Sequence, residues 1–120
     1  MAVRALRGAT QLRHDDFDEM REAVVELLRE MFVRNQVEPA DLISVIFTAT
    51  PDLHCGFPAT AARELALGHV PLICAAELDI AGALPRVVRV LMHLETEKAR
   101  GELVHVYTRG AEVLRLDLAQ

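Results

Sequence analysis

Residues 86–94, RVVRVLMHL, constrain the fold of this chain more than any other stretch. Val87, Val88, Val90, Leu91, Met92 and Leu94 make both alternating rows apolar, the pattern of a strand covered on its two faces. A sheet containing this segment needs a layer on each side. Arg89 stands in the middle of it. A guanidinium stays charged at any pH a protein meets, and burying one unpaired is costly. Arg89 must therefore reach water or face a partner for its charge.

The flanking sequence supplies the rest of the sheet. Residues 2–12, AVRALRGATQL, read as a first strand with Val3, Ala5, Arg7 and Ala9 on one face, so a second arginine falls on an apolar row. Asp15 and Asp16 are N-cap candidates for an amphipathic helix that runs to about Asn35, with Phe17, Met20, Val24, Leu27, Leu28, Met31 and Phe32 at helical spacing. Residues 42–50, LISVIFTAT, read as a buried central strand. After a loop at 51–56, Phe57-Pro58 opens a second helix that is expected to stop near Gly68. Residues 70–78 give a third strand, 86–94 a fourth, and 104–108 and 112–116 two short strand-like pieces. This order predicts one α+β domain over residues 1–120, a mixed sheet with two main helices on one face. Two helices cover only that face, so a second molecule is the expected cover for the other, and the chain is expected to be an oligomer.

Charge and composition narrow the function classes. Eighteen acidic side chains against thirteen basic ones give a net charge of −5, which argues against nucleic acid or an anionic membrane as the partner. No apolar run reaches the roughly 18 residues of a membrane span. Cys55 and Cys74 are too few for a disulfide scaffold or a zinc site, and no signal peptide opens the sequence. The expectation is a cytoplasmic protein. Asp52 and His54 have metal-ligand identities but make no site by themselves, and no GxGxxG or P-loop glycine pattern is present. Neither a metal nor a cofactor is expected.

Among the arginines within predicted strands, three stand out: Arg7, Arg89 and Arg115. One such arginine is ordinarily at a sheet edge or snorkelling to water. Three in a small acidic protein fit better with convergence on a bound anion, or with a meeting between Arg89 and an acid such as Glu77. An arginine-lined pocket in an aliphatic shell suits a small carboxylate or phosphate metabolite. Glu77 is either a solvated strand end or an acid aimed into that pocket. Cys74 reads as a buried structural cysteine or as a thiol lacking the base that a nucleophile needs. Tyr107, the sole tyrosine, is a half-buried strand residue whose hydroxyl could bond a carboxylate.

Six blocks in order resemble one family: RGAT (7–10), ATPDLH (49–54), FPAxxxRE (57–64), VPLxCxxE (70–77), RVLM (89–92) and HVYxxxAxxLRxDL (105–118). Together they resemble the monofunctional chorismate mutases of the trimeric α/β type. The resemblance implies isomerisation of chorismate to prephenate in phenylalanine and tyrosine biosynthesis, an intramolecular reaction that uses no cofactor or metal. It implies a homotrimer shaped as a pseudo-α/β barrel, with active sites in the clefts between subunits. It implies that Arg89 contacts the ether oxygen and a carboxylate, and that Arg7 and Tyr107 bind carboxylates. Glu77 and Cys74 would lie near the ring hydroxyl and the side where positive charge develops. Phe57 and Leu114 would form apolar walls, with Ala59 and Arg63 supplied by the adjacent subunit and Arg115 near the cleft. Thr60 stands where the family pattern leads one to expect a lysine at the entrance. Two rival readings of the pocket are a non-catalytic trimeric binder of small carboxylates and a trimeric imine deaminase.

Overall fold

Strand alternation decides which side chains meet the helices. The computed structural model describes the backbone of residues 1–117 and the side chains as far as Leu114. Five strands, β1 (Ala2–Gln11), β2 (Leu42–Ala49), β3 (Leu72–Ala76), β4 (Val87–Thr96) and β5 (Val106–Thr108), form one sheet in the order β3-β2-β4-β1-β5. β4 pairs antiparallel with both β1 and β2, whereas β2/β3 and β1/β5 are parallel. The sheet is mixed, with two helical segments on one of its faces.

The covering face holds the even row of β4 (Val88, Val90, Met92, Leu94), with Leu6 of β1 and Val45 and Phe47 of β2, all buried in one continuous core. Each such side chain contributes about 1.5–3 kcal/mol by leaving water. The long helix α1 (Phe17–Asn35) supplies the opposing layer through Met20, Val24, Leu27, Leu28 and Met31. Asp16 caps its start, accepting from the Glu19 N–H at 2.9 Å, while Gln36 ends it in the left-handed region at φ 51°. Gly8 is where α1 lies hard on β1. A Cβ there would come within 2.5 Å of Met31 Sδ and 3.2 Å of Leu27 Cδ1.

Two predicted elements differ. The second helix is short: α2 spans Pro58–Ala62, then tightens into a 3-10 turn over Arg63–Leu65 that ends at Ala66 with φ 60°. Leu67 is fully buried while Leu65 is half-buried. A continuous helix would turn those two side chains about 200° apart, so the break lets both meet the core. Residues 112–116 are not a strand. They belong to a 3-10 segment over Ala111–Asp117, in which Ala111 and Leu114, three apart, both pack beside Ala9, Val87 and Tyr107. Arg115 therefore does not lie on a strand, and its side chain lies outside the described residues.

The opposite face carries the other rows. One crosses all five strands as Tyr107, Ala9, Arg89, Thr48 and Ala75, and the next runs Arg7, Leu91, Ile46 and Ile73. Ile73 and Val3 are each 59% exposed there. Among the described residues no α-helix covers this face; the 3-10 segment packs only at its Tyr107 end, and Arg7 and Arg89 both stand on it.

Candidate active site

Arg89 is central in the sheet, so its side chain rises from the middle of the uncovered face. It is 41% exposed and does not sit in a closed core. Its Nε donates to Glu77 Oε1 at 3.1 Å, and Glu77 itself is only 15% exposed. Glu77 arrives there because its N–H bonds the Ala49 carbonyl at 3.0 Å, extending the β2/β3 ladder one residue past Ala76. The second carboxylate oxygen, Oε2, accepts from Thr48 Oγ1 at 2.7 Å. Both oxygens are thus engaged, and the acid acts as a bracket that orients the guanidinium. Of the two readings open for Glu77, the solvated strand end is set aside. The Nη nitrogens of Arg89 have no hydrogen-bond partner among the described residues, so its outer edge is presented to the cavity.

That cavity, about 210 Å³, is lined by Arg7 and Ala9 from β1, Ile46 and Thr48 from β2, Arg89 and Leu91 from β4, and Tyr107 from β5. Two cations and a phenol sit in an aliphatic surround. Tyr107 is only 7% exposed, and its hydroxyl is buried with no hydrogen-bond partner among the described residues. Leaving such a group unpaired costs about 1–3 kcal/mol, so the site is poised for an acceptor. Leu114 packs against the same small cluster as Tyr107 but does not line the cavity itself.

The backbone of Arg7 is held by a histidine. The Arg7 N–H donates to His105 Nδ1 at 3.0 Å, where β5 joins β1. His105 is held below the ordinary histidine value of 6.5, first by burial and then by the Arg7 charge beside it. Both causes disfavour the imidazolium form.

The remaining predicted site residues lie elsewhere. Cys74 pairs with Phe47 across β2/β3 and packs against the helix-side core, on the opposite face of β3 from Glu77. Phe57, 71% exposed, precedes α2, and Ala59 and Thr60 are on that helix, with Arg63 exposed just after it. None of these five lines the cavity around Arg89 within the chain. The chain brings together Arg7, Glu77, Arg89, Tyr107 and Leu114.

Thr48 and His105 carry no mark in the sequence as site residues. A threonine in a central strand reads as a β-former, and nothing in the local pattern identifies His105 as an acceptor for β1. The Asp52 carboxylate accepts from the Arg86 N–H at 3.0 Å and from Thr50 Oγ1 at 2.5 Å, which makes it a loop clamp. The Asp15 carboxylate takes the N–H groups of His54 and Cys55, both at 2.9 Å, and these bonds, the His54 one foremost, hold its pKa below 3.8. Among the described residues no three His, Cys, Asp or Glu side chains cluster as a metal site would.

The sequence matches the family described as Chorismate mutase type I over residues 3–118. It is 38% identical to Chorismate mutase AroH of Bacillus subtilis (strain 168), covering 99% of this chain and 94% of that protein. It is 42% identical to Chorismate mutase AroH of Thermus thermophilus, covering 97% and 96%. The fold is similar to a solved chorismate mutase from Clostridium thermocellum with a TM-score of 0.90 at 43% identity, over 92% of this chain and 98% of that one. With a match across nearly its whole length, this chain belongs to the chorismate mutase type I family.

Proposed function

We infer that this chain converts chorismate to prephenate by an intramolecular rearrangement, without a covalent intermediate. The observation that carries the reading is Arg89, a fixed cation bracketed by Glu77 and facing an aliphatic cavity it shares with Arg7 and Tyr107. Chorismate is a dicarboxylate that must fold its enolpyruvyl arm over its ring before it can react. Gripping both carboxylates holds the reactive conformer, which is a contribution to rate in its own right. Arg7 and Tyr107 suit that task, one by charge and the other by its unpaired hydroxyl. As the ether bond lengthens ahead of the new carbon–carbon bond, negative charge gathers on the oxygen. A guanidinium already fixed beside that oxygen stabilises the transition state more than the ground state. Glu77 keeps the guanidinium from swinging to solvent, so little reorganisation accompanies the charge shift.

Each active site lies between two subunits of a homotrimer, whose sheets close into a pseudo-α/β barrel. Val3, Phe57, Ile73 and Leu78 support this reading, since each is more than half exposed in the single chain. Phe57, Ala59, Thr60 and Arg63 would then serve a neighbour's cavity.

Co-expression of Arg89→Ala with Arg63→Ala tests the reading. If each variant alone is inactive and the site is shared, random mixing restores about a quarter of wild-type chorismate turnover, the share of interfaces with two intact halves. A site contained in one subunit restores none.

A further inference from the structure

β5 is only three residues long, yet it carries Tyr107 into the cavity, so its register on β1 needs other anchors. Asn35, buried at the end of α1, supplies the first. Its Oδ1 accepts from the Val104 N–H at 2.7 Å and its Nδ2 donates to the Val104 carbonyl at 2.9 Å. Both backbone groups of Val104 are thereby taken away from β1. The next residue fills the gap with a side chain, because the Arg7 N–H donates to His105 Nδ1 at 3.0 Å. The regular β1/β5 pairing then begins one step on, at Gly8 and Val106.

We propose that His105 is a positioning residue for substrate binding, its neutral imidazole tying the Arg7 backbone to β5 so that Arg7 and Tyr107 meet one carboxylate together. The proposal rests on the carboxylate-binding role given to Arg7 above. It requires Nδ1 to be bare and the proton to sit on Nε2, since a donor cannot bond a second donor. An imidazolium therefore breaks the joint, and it also adds a positive charge beside Arg7.

The groups around His105 agree. Arg7 on β1 is the charged side chain that acts on it. Tyr107, two residues on in β5, is the titratable neighbour in sequence, and α1 offers the uncharged amide of Asn35 by way of Val104. His93 stands farther across the sheet, opposite Ala5 and bonded to Ser44 at 3.3 Å. Burial and Arg7 both disfavour the protonated form, so the joint is intact at neutral pH and opens only as pH falls below the ordinary histidine value of 6.5. Arg89, bracketed by Glu77 and Thr48, does not depend on it. The consequence is a KM that rises on the acid side while kcat holds.

The test is the pH dependence of kcat and KM for chorismate in the wild type, His105→Asn, His105→Leu and Arg7→Ala, each verified as folded and of wild-type oligomeric state. Asn places Oδ1 where Nδ1 sits, accepts from the Arg7 N–H and does not titrate. It should keep KM near wild type at neutral pH and remove the acid rise. Leu should raise KM about tenfold across the range, with kcat within about twofold, as loss of one hydrogen bond and its register predicts. An acid rise that persists in His105→Asn overturns the proposal. So does a wild-type KM in His105→Leu when Arg7→Ala raises it. If Arg7→Ala itself binds chorismate normally, the role of Arg7 fails and the proposal falls with it, a result distinct from the other two.

Discussion

Replacing Thr48 by Val removes one hydroxyl and leaves the strand shape nearly unchanged, which isolates the bracket on Arg89. The bond lost is the 2.7 Å contact from Thr48 Oγ1 to Glu77 Oε2. A hydrogen bond to a charged group contributes about 1.5–3 kcal/mol. The low end applies, because Arg89 at the other end of the network is 41% exposed and water can share the load. About 1.5 kcal/mol corresponds to roughly tenfold in rate. The loss should fall on kcat, since Thr48 steadies the cation that meets the developing charge, and KM should change less than about threefold. Initial rates of chorismate absorbance loss measure both constants. The stronger check is a double-variant cycle with Glu77→Gln, which keeps an oxygen for Arg89 Nε but removes the charge. If Thr48 acts through Glu77, Thr48→Val in the Glu77→Gln background should cost less than about threefold, because coupled residues are not additive. A full tenfold loss in that background, or a wild-type kcat in Thr48→Val alone, would refute the bracket.

Three further outcomes follow from the same geometry. Arg89→Ala should lower kcat at least about 1000-fold, the scale of losing a key oxyanion donor, and Arg89→Lys should recover little of it, since one ammonium cannot bond Glu77 and the substrate in the same fork; near-normal kinetics in a folded variant would remove Arg89 from the mechanism. Gly8→Ala should destabilise the protein by about 1–3 kcal/mol, because the new methyl meets Met31 and Leu27 of α1, and thermal unfolding at an unchanged temperature would contradict the close contact of β1 with that helix. Cys74→Ser should keep kcat within about fivefold, as its thiol packs on the helix side beside Phe47 and no covalent step is proposed; complete loss of turnover in a folded variant would contradict that.

Much of this architecture is legible in the chain because period-two alternation is a strong signal. Spacing alone separates Val88, Val90 and Met92 from Arg89 and Leu91, and the two rows do face the helices and the cavity respectively. The α1 boundaries are equally plain, since Asp16 caps the start and a long apolar stripe follows. The C-terminal segment misleads because Val113, Leu114 and Leu116 resemble strand residues by composition. What decides its form is the spacing of Ala111 and Leu114 against Tyr107, a contact that exists only once β5 is in place. Thr48 is hidden for a related reason. Its partner Glu77 is 29 positions away and meets it only through the parallel register of β2 and β3. Strand parity does hold a clue about Cys74 and Glu77. Residues three apart on an extended chain point to opposite faces, and so these two do.

The central claim is tested most directly by incubating the purified protein with chorismate alone, following the loss of its ultraviolet absorbance and identifying the product. The account predicts loss in proportion to protein concentration, stoichiometric appearance of prephenate and no requirement for added metal or cofactor. Chorismate bound saturably by the folded protein but recovered unchanged would contradict it, and would make the cavity around Arg89 a binding site without turnover.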